Sequence, residues 1–181
     1  MSASFSLSPA RRASISGYLG FVLLLGLALA QSSVEPFLTV AGVHADLVLM
    51  AVVGWAFLRG PGEGIMWALV GGLCLDLLTS GPFGLMTVAL VVTSLLATLG
   101  YGRVFGGYLV LPLAFAFPLS LVYYLAYTLL LAAFGRSVDW LPALTTIILP
   151  ASLLNIAAML VLFPPLRALH RRTGREQISW R

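Results

Sequence analysis

The sequence has very few charged side chains and no lysine at all. Charged residues make up 9% of its 181 positions, whereas ordinary soluble domains carry about 25%. Hydrophobic residues account for 60% of the chain, which is more apolar surface than a soluble domain of this length needs. The composition therefore indicates an integral membrane protein. The ten basic residues are all arginines and form no basic stripe with interleaved aromatic residues, which argues against a nucleic acid as partner.

Cysteine is also nearly absent, and the motifs of common cofactor sites are missing. The single cysteine, Cys74, excludes an internal disulfide and any metal site built from several cysteines. It lies in an apolar run, where packing accounts for it. Because no nucleotide-binding loop, nucleophile elbow or zinc motif is present either, we expect no cofactor and no bound metal.

Charges and helix-breaking residues divide the chain into apolar stretches, and a membrane-spanning helix needs roughly 20 residues. Six stretches are recognisable, with boundaries near residues 18–30, 40–58, 65–79, 85–101, 108–134 and 141–166. We therefore predict an all-α integral membrane protein with six transmembrane helices. In this interpretation residues 1–17 form a cytoplasmic N-terminal segment, 18–166 the transmembrane domain and 167–181 a basic cytoplasmic tail.

The distribution of arginine predicts the orientation. With both termini in the cytoplasm, nine of the ten arginines lie on the cytoplasmic side and only Arg136 lies outside, as the positive-inside rule requires. The basic tail would then touch anionic lipids of the bilayer or dock a cytoplasmic partner. The stretch from Arg11 to Ala30 also imitates a cleavable secretory signal, but we predict that it is retained as the first transmembrane helix.

Two aspartates, Asp46 and Asp76, lie in otherwise apolar segments, where a carboxylate must be paired, hydrated or functional. Asp46 stands thirteen residues before Arg59, and Asp76 stands thirteen residues after Glu63. At about 1.5 Å per residue, each would lie roughly 20 Å from the cytoplasmic end of its helix. The spacing predicts that the two carboxylates lie at matching depth on a helical hairpin, toward the outer third of the membrane.

Three interpretations of this pair are open from the sequence. Two carboxylates that share a proton can activate water, as in aspartic proteases, although the local motifs of intramembrane aspartyl proteases are missing. Alternatively, each aspartate caps a helix end or bonds to nearby hydroxyl and backbone groups. The third interpretation is a partner-binding site, where polar contacts contribute about 1–2 kcal/mol. His44, two residues before Asp46, adds too few ligands for a metal site.

One further polar residue and two predicted turns complete the set of candidates. Asn155, near the middle of the last apolar stretch, is expected to bond neighbouring helices to one another. Clusters of helix-breaking residues predict a compact turn on either side of the third stretch. The turn residues are Arg59, Gly60, Pro61, Glu63 and Gly64 in the first and Gly81, Pro82 and Gly84 in the second. None of these residues is expected to be catalytic.

Taken in order, these motifs resemble the MreD family of rod shape-determining proteins. The family shows a Pro-Asp-Leu opening, an Arg-Gly-Pro-x-Glu-Gly turn, a Gly-x-x-x-Asp-Leu helix and a Pro-x-Gly turn. The corresponding residues here are 46–47, 59–64, 72–77 and 82–84. Ala45 stands where the family usually has proline, which weakens the first motif but leaves its carboxylate in place. Length and helix count extend the resemblance to the whole chain.

The resemblance implies a non-enzymatic membrane scaffold of the bacterial cell-elongation complex, located in the cytoplasmic membrane. Its implied partners are the membrane protein MreC and, through it, the actin-like MreB filament, a RodA-type glycosyltransferase and a class B penicillin-binding protein. Together these proteins support peptidoglycan synthesis and cell shape.

Two other functions are carried as alternatives. The family's fold resembles the six-helix substrate-binding components of energy-coupling-factor transporters, so a substrate-binding subunit of a vitamin or solute transporter comes second. That alternative predicts a ligand cavity that opens to the outside and is lined by aromatic and polar side chains. An intramembrane aspartyl protease built on Asp46 and Asp76 comes third.

Overall fold

The computed structural model describes residues 9–34, 43–101 and 110–173, with side chains from Gly20 onward. Six helices follow one another in these ranges: α1 (Pro9–Val34), α2 (Leu47–Arg59), α3 (Pro61–Leu78), α4 (Leu85–Ala97), α5 (Val110–Ala133) and α6 (Trp140–Thr173). The prediction of an all-α fold with six helices is therefore confirmed. Residues 1–8 of the predicted N-terminal segment and 174–181 of the predicted tail lie outside the described residues.

The helices differ in their capacity to cross a membrane. Within the described residues, α3, α5 and α6 are long and apolar enough to do so. The other apolar helical stretches are shorter: Gly20–Ser33 within α1, Leu85–Gly100, and α2, which has only 13 residues. At about 1.5 Å per residue such a helix extends about 20 Å, less than the roughly 30 Å of a hydrocarbon core. Length and composition thus support spanning for three of the six predicted helices.

Helix α2, with 13 residues, lies at the centre of the bundle. All residues of α2 from Val48 to Phe57 are buried, and α2 contacts each of the other five helices. A helix that is apolar all round lies in a protein core or spans a membrane, and the burial of α2 puts it in the core of this bundle. In α1, by contrast, burial is confined to one face, where Gly20, Leu24 and Ala28 follow one another at intervals of four residues.

The turn between α2 and α3 is tighter than the predicted segment 59–64. Only Gly60 separates the two helices, and it has a φ of 80°, in a region that favours glycine. Pro61 occupies the first turn of α3, where its fixed φ suits a helix start and its missing N–H costs nothing. We call this side of the bundle the Gly60 end, and the opposite side, where α2 begins and α3 ends, the Asp46 end.

The predicted boundaries differ from the helix ends at several places. α1 begins at Pro9, within the predicted N-terminal segment 1–17. The second apolar stretch was expected to be helical from about residue 40, but α2 begins at Leu47, because Asp46 has an extended backbone and caps the helix. The last helix was expected to end at residue 166, but α6 continues to Thr173. Its Pro164 and Pro165 do not end it, so the first residues of the predicted tail are helical.

The start of α6 contains a π-helical segment, Ala143–Ile148. The N–H of Leu149 donates to the carbonyl of Leu144, five residues earlier, rather than to the usual fourth. Pro150 follows directly and has no N–H to donate to the carbonyl of Thr146. The regular series of hydrogen bonds to the fourth preceding residue is therefore interrupted here. Such insertions often occur at functional sites, and this one lies at the Asp46 end.

Gly72 sets the distance between α3 and α4. A Cβ at this position would lie 2.4 Å from the Cα of Thr87, so any side chain would force the two backbones apart. We expect Gly72→Ala to lower the free energy of unfolding by about 2 kcal/mol, within the range for overpacked cores. Thermal unfolding in mild detergent, followed by circular dichroism, measures the change.

Gly62 supplies the matched control on the same helix. Nothing lies within 4 Å of a Cβ built there, so Gly62→Ala meets no steric obstacle. Since alanine favours helix over glycine, this variant should be neutral or slightly more stable. Equal stability of the two variants would contradict the packing role of Gly72.

Candidate functional site

A cavity of about 560 Å³ lies at the Asp46 end, and we call it the Asp46 cavity. Its lining comes from α1, from the segment before α2, and from α3, α4, α5 and α6. The polar part of the lining includes Gln31, Asp46, Tyr123, Tyr124, Tyr127 and Thr128, and the aliphatic part includes Leu131, Val138, Ala143, Ile147 and Ile148. Ligand pockets of about 300–1,000 Å³ with few polar groups on an apolar wall are typical of binding sites.

Asp46 is fixed at the N-terminus of α2. Its Oδ1 accepts a hydrogen bond of 3.0 Å from the N–H of Leu49, which makes it the N-cap. A carboxylate in this position satisfies a backbone donor and interacts favourably with the helix dipole. The side chain is 5% exposed and lines the cavity, so its carboxyl group lies at a nearly buried point of the wall.

Asn155 connects this cap to two other helices. Its Oδ1 accepts a 2.7 Å hydrogen bond from the backbone N–H of Asp46, across 109 residues of sequence. Its Nδ2 donates to the Oγ of Ser120 at 3.1 Å and to the hydroxyl of Tyr124 at 3.4 Å. The amide is fully buried, so one side chain of α6 holds the start of α2 and the middle of α5 together.

Three tyrosines of α5 form the aromatic part of the cavity wall. Tyr123, Tyr124 and Tyr127 all line it, and the rings of the first two meet edge to face with centroids 5.2 Å apart. Sequence reasoning missed them, because a tyrosine inside an apolar run does not disturb the pattern of a membrane helix. The sequence does contain a signal for them: the three tyrosines lie within five residues, and positions 123 and 127 share one helix face.

Asp76 caps a different helix, α4. Its Oδ1 accepts the N–H of Met86 at 3.1 Å, and its Oδ2 accepts the N–H and the hydroxyl of Thr87 at 3.1 and 2.5 Å. These groups belong to the first turn of α4, whose backbone donors need acceptors. Asp76 lines a small adjoining recess, and that recess shares Thr79, Met86 and Tyr127 with the Asp46 cavity.

The residues of the second predicted turn surround this recess. Gly81 and Pro82 line it together with Asp76. Gly84 precedes α4 with a φ of 94°, a left-handed conformation in which glycine meets no steric penalty. This backbone geometry directs the first turn of α4 toward Asp76.

The residues of the first predicted turn form a separate cluster at the Gly60 end. Arg59 and Glu63 make an ion pair of 3.2 Å, and the indole N–H of Trp55 donates to Glu63 at 3.1 Å. Arg59 also donates to the hydroxyl of Thr173, which ties the end of α6 to the turn. The rings of Trp55 and Trp67 stack with centroids 4.1 Å apart. The cluster therefore fixes α2, α3 and α6 to one another.

A comparison with known protein families shows to which family the chain belongs. The family model described as rod shape-determining protein MreD matches residues 12–173. The chain belongs to the MreD family. It is therefore a member of a family of rod shape-determining membrane proteins. No curated protein matches the sequence. No solved structure matches it either, so the similarity to transporter substrate-binding components stays a prediction.

The geometry gives a physical reason for the spacing of two motifs in this MreD-family protein. In the Gly-x-x-x-Asp motif, Gly72 admits the backbone of α4 at Thr87, and Asp76, one turn later, accepts the N–H of that same residue. In the turn motif, Arg59 and Glu63 pair at a spacing of four residues. There, Gly64 allows contact between helices, since a Cβ would lie 2.8 Å from that of Ala56.

Proposed function

We propose that this MreD-family protein is a non-enzymatic membrane scaffold of the bacterial cell-elongation complex that holds an MreC-like partner at the Asp46 cavity. Through that partner it would act with the actin-like MreB filament, a RodA-type glycosyltransferase and a class B penicillin-binding protein in peptidoglycan synthesis. The observation that carries the proposal is the combination of family membership with a large, partly polar cavity at one end of the bundle.

The proposed membrane arrangement places this cavity outside. With six spans in the bacterial cytoplasmic membrane and both termini inside, the Arg59 cluster and the basic end of α6 face the cytoplasm. The Asp46 end then faces the opposite side, where the extracytoplasmic part of a single-pass partner can reach it. The hydrogen bonds of Asn155 and Asp76 fix the helices around the cavity, as a docking site requires.

Catalysis by the aspartate pair is disfavoured by the hydrogen bonds that already engage the two side chains. A dyad needs both carboxylates around one water, with one shared proton. Both oxygens of Asp76 are instead engaged by Met86 and Thr87 of α4, and Oδ1 of Asp46 is engaged by Leu49 of α2. A scaffold therefore accounts for these aspartates better than an intramembrane protease does.

A solute-binding transporter subunit is the second candidate, because the Asp46 cavity has the aromatic and polar lining that this function requires. The two functions differ in what fills the cavity. A scaffold binds a segment of another chain, whereas a transporter subunit retains a small molecule through purification in mild detergent. Mass spectrometry of the purified protein distinguishes these occupants.

Capture of the partner tests the scaffold directly. We expect the tagged full chain, purified from its own host in mild detergent, to capture a single-pass MreC-like protein. Ala143→Trp places an indole in the cavity and should reduce capture at least ten-fold, because it fills the docking volume. Quantitative mass spectrometry of the captured proteins measures the effect, and cell shape after depletion and re-expression provides the cellular result.

Leu153→Trp is the control, since Leu153 lies on the same helix and is 60% exposed outside the cavity. It should capture the partner as the unmodified chain does. Capture of no single-pass partner, together with normal cell shape after depletion, would contradict the scaffold. A copurified solute lost in Ala143→Trp alone would favour the transporter subunit.

A further inference from the structure

We propose that the Asp46 cavity receives an uncharged side-chain amide, from an asparagine or glutamine of the partner, whose carbonyl oxygen accepts hydrogen bonds from Tyr124 and Gln31. The inference deepens the proposed scaffold function and rests on it for the identity of the partner. Two chains of hydrogen bonds carry it, because each starts at a backbone N–H at the start of α2 and ends in a donor at the cavity wall.

The first chain of hydrogen bonds runs from α2 through Asn155 to Tyr124. The backbone N–H of Asp46 can only donate, so the Asn155 amide must present its oxygen to it. The NH₂ group of Asn155 then donates to the phenolic oxygen of Tyr124 at 3.4 Å. Because this oxygen acts as an acceptor, the hydroxyl proton of Tyr124 is left to donate. Tyr124 lines the cavity, and no described residue accepts this proton.

The second chain runs from α2 to Gln31 of α1. The backbone N–H of Val48 donates to Oε1 of Gln31 at 3.2 Å, which fixes the orientation of this amide in the same way. The NH₂ group of Gln31 makes no hydrogen bond to a described residue, and Gln31 also lines the cavity. The two chains begin two residues apart, so both donors belong to the part of the cavity near the start of α2.

A second tyrosine of the wall has a hydroxyl without a partner. Tyr123 is 3% exposed and lines the cavity, but its hydroxyl makes no hydrogen bond to a described residue. A polar group in so enclosed a position normally has a partner. An occupant that brings an acceptor into the cavity would supply one.

The ionisable side chains of the lining do not select a charged occupant. His44 and Asp46 both line the cavity, and each already interacts with another group of the protein. No arginine is among the described residues of the lining. A charged occupant would therefore leave water without a counter-charge reserved for it, which is costly, whereas a neutral carbonyl group needs only donors.

Thr128 adds an acceptor to this pattern of donors. Its hydroxyl donates to the carbonyl of Tyr124 at 2.7 Å, so its oxygen is left to accept at the cavity wall. Donors near the start of α2 and an acceptor on α5 match the carbonyl and the NH₂ group of an amide. Where a single-pass partner is helical, its backbone amides are paired within the helix, so the available amide is an asparagine or glutamine side chain. Such side chains commonly connect membrane helices.

Gln31→Glu removes the donor of Gln31 and keeps its acceptor. The carboxylate can still accept the N–H of Val48, and negative charge is favourable at the N-terminus of α2. The variant should keep its thermal unfolding temperature and capture the partner at least ten-fold more weakly, because an oxygen replaces the NH₂ group that faces the amide carbonyl. Ser33→Glu adds the same charge at an exposed position of α1 outside the cavity and should capture normally.

Tyr124→Phe removes the other donor and leaves the aromatic ring in the wall. The NH₂ group of Asn155 keeps its hydrogen bond to Ser120, so the unfolding temperature should change little. Partner capture should fall at least five-fold, as measured by quantitative mass spectrometry. Tyr101→Phe, at the Gly60 end, removes a hydroxyl outside the cavity and should have no effect on capture.

Tripeptide probes test the amide without the natural partner. We expect acetyl-Leu-Gln-Leu-amide to bind the purified full chain at least ten-fold more tightly than the same peptide with glutamate or methionine at its centre. These three probes share their backbone and differ only in the central side chain, which is neutral and polar, anionic or apolar. The preference should disappear in Tyr124→Phe. Isothermal titration calorimetry in mild detergent measures all affinities on the same preparations.

The two kinds of experiment separate the amide site from the scaffold function. Undiminished partner capture by either Gln31→Glu or Tyr124→Phe, or equal affinity for the glutamine and methionine tripeptides, overturns the amide site and leaves the scaffold in place. Tighter binding of the glutamate tripeptide assigns the donors to an anion and also overturns it. Failure to capture any partner contradicts the scaffold, and the tripeptide preference still decides the chemistry of the cavity. Loss of a copurified phospholipid in Gln31→Glu, without a preference for the glutamine tripeptide, assigns the donors to a lipid ester and overturns the proposal.

Discussion

Replacing Asp76 with alanine is expected to lower the free energy of unfolding by about 3 kcal/mol. The substitution removes the acceptor of two backbone N–H groups and one hydroxyl at the start of α4. A hydrogen bond contributes about 1 kcal/mol net to stability, so the loss of these three contacts accounts for a decrease of about 3 kcal/mol. Thermal and denaturant unfolding in mild detergent measure the loss.

Asp139 offers a control for the general effect of removing an aspartate. It stands before α6 in the N-cap position, but its side chain makes no capping hydrogen bond. Asp139→Ala should therefore change stability by less than about 0.5 kcal/mol, as is usual for surface substitutions. If Asp76→Ala is as stable as Asp139→Ala, the capping role of Asp76 is wrong.

Asp76→Asn distinguishes the structural role from a catalytic one. Its amide retains one acceptor oxygen, but the NH₂ group cannot accept from α4, so an intermediate loss of stability is expected. An intramembrane protease predicts the reverse pattern, in which this conservative variant keeps its stability and loses peptide hydrolysis. Unfolding measurements on the variant therefore bear on function as well as on the fold.

Much of the helical frame could be predicted from composition and helix breakers. The turn at Gly60 and the turn before α4 were predicted because glycine and proline act locally on the backbone. The start of α2 was not, because an aspartate that caps a helix and one inside a membrane helix look alike in an apolar sequence. The difference depends on the extended backbone of Asp46, which is a three-dimensional property.

The candidate site was only partly predictable, for a similar reason. The sequence singled out Asp46 and Asn155 separately as polar residues in apolar runs. Their hydrogen bond joins positions 109 residues apart, and no local pattern encodes such a pair. The π-helical segment that forms part of the cavity wall also depends on how α6 packs, although Pro150 marks the place where the regular ladder fails.

Asn155→Ala is expected to lower the free energy of unfolding by about 2–3 kcal/mol and to weaken partner capture as well. The variant leaves the N–H of Asp46 without its acceptor and removes the donor to Ser120 and Tyr124. A buried group left unpaired costs about 1–3 kcal/mol, while single polar contacts between membrane helices contribute less. Because Asp46 and Tyr124 both line the cavity, losing their common partner should also disturb the site.

Ser152, about one turn earlier on α6, is the matched control. It is fully buried, like Asn155, but its hydroxyl donates only to the carbonyl of Ile148 on the same helix. Ser152→Ala therefore removes a buried polar group without breaking a contact between helices, and it should leave both stability and capture nearly unchanged. If both variants lose stability equally, the loss comes from removing a buried polar group and not from breaking the contact between helices. If Asn155→Ala loses stability but captures the partner normally, Asn155 supports the fold and the cavity does not depend on it.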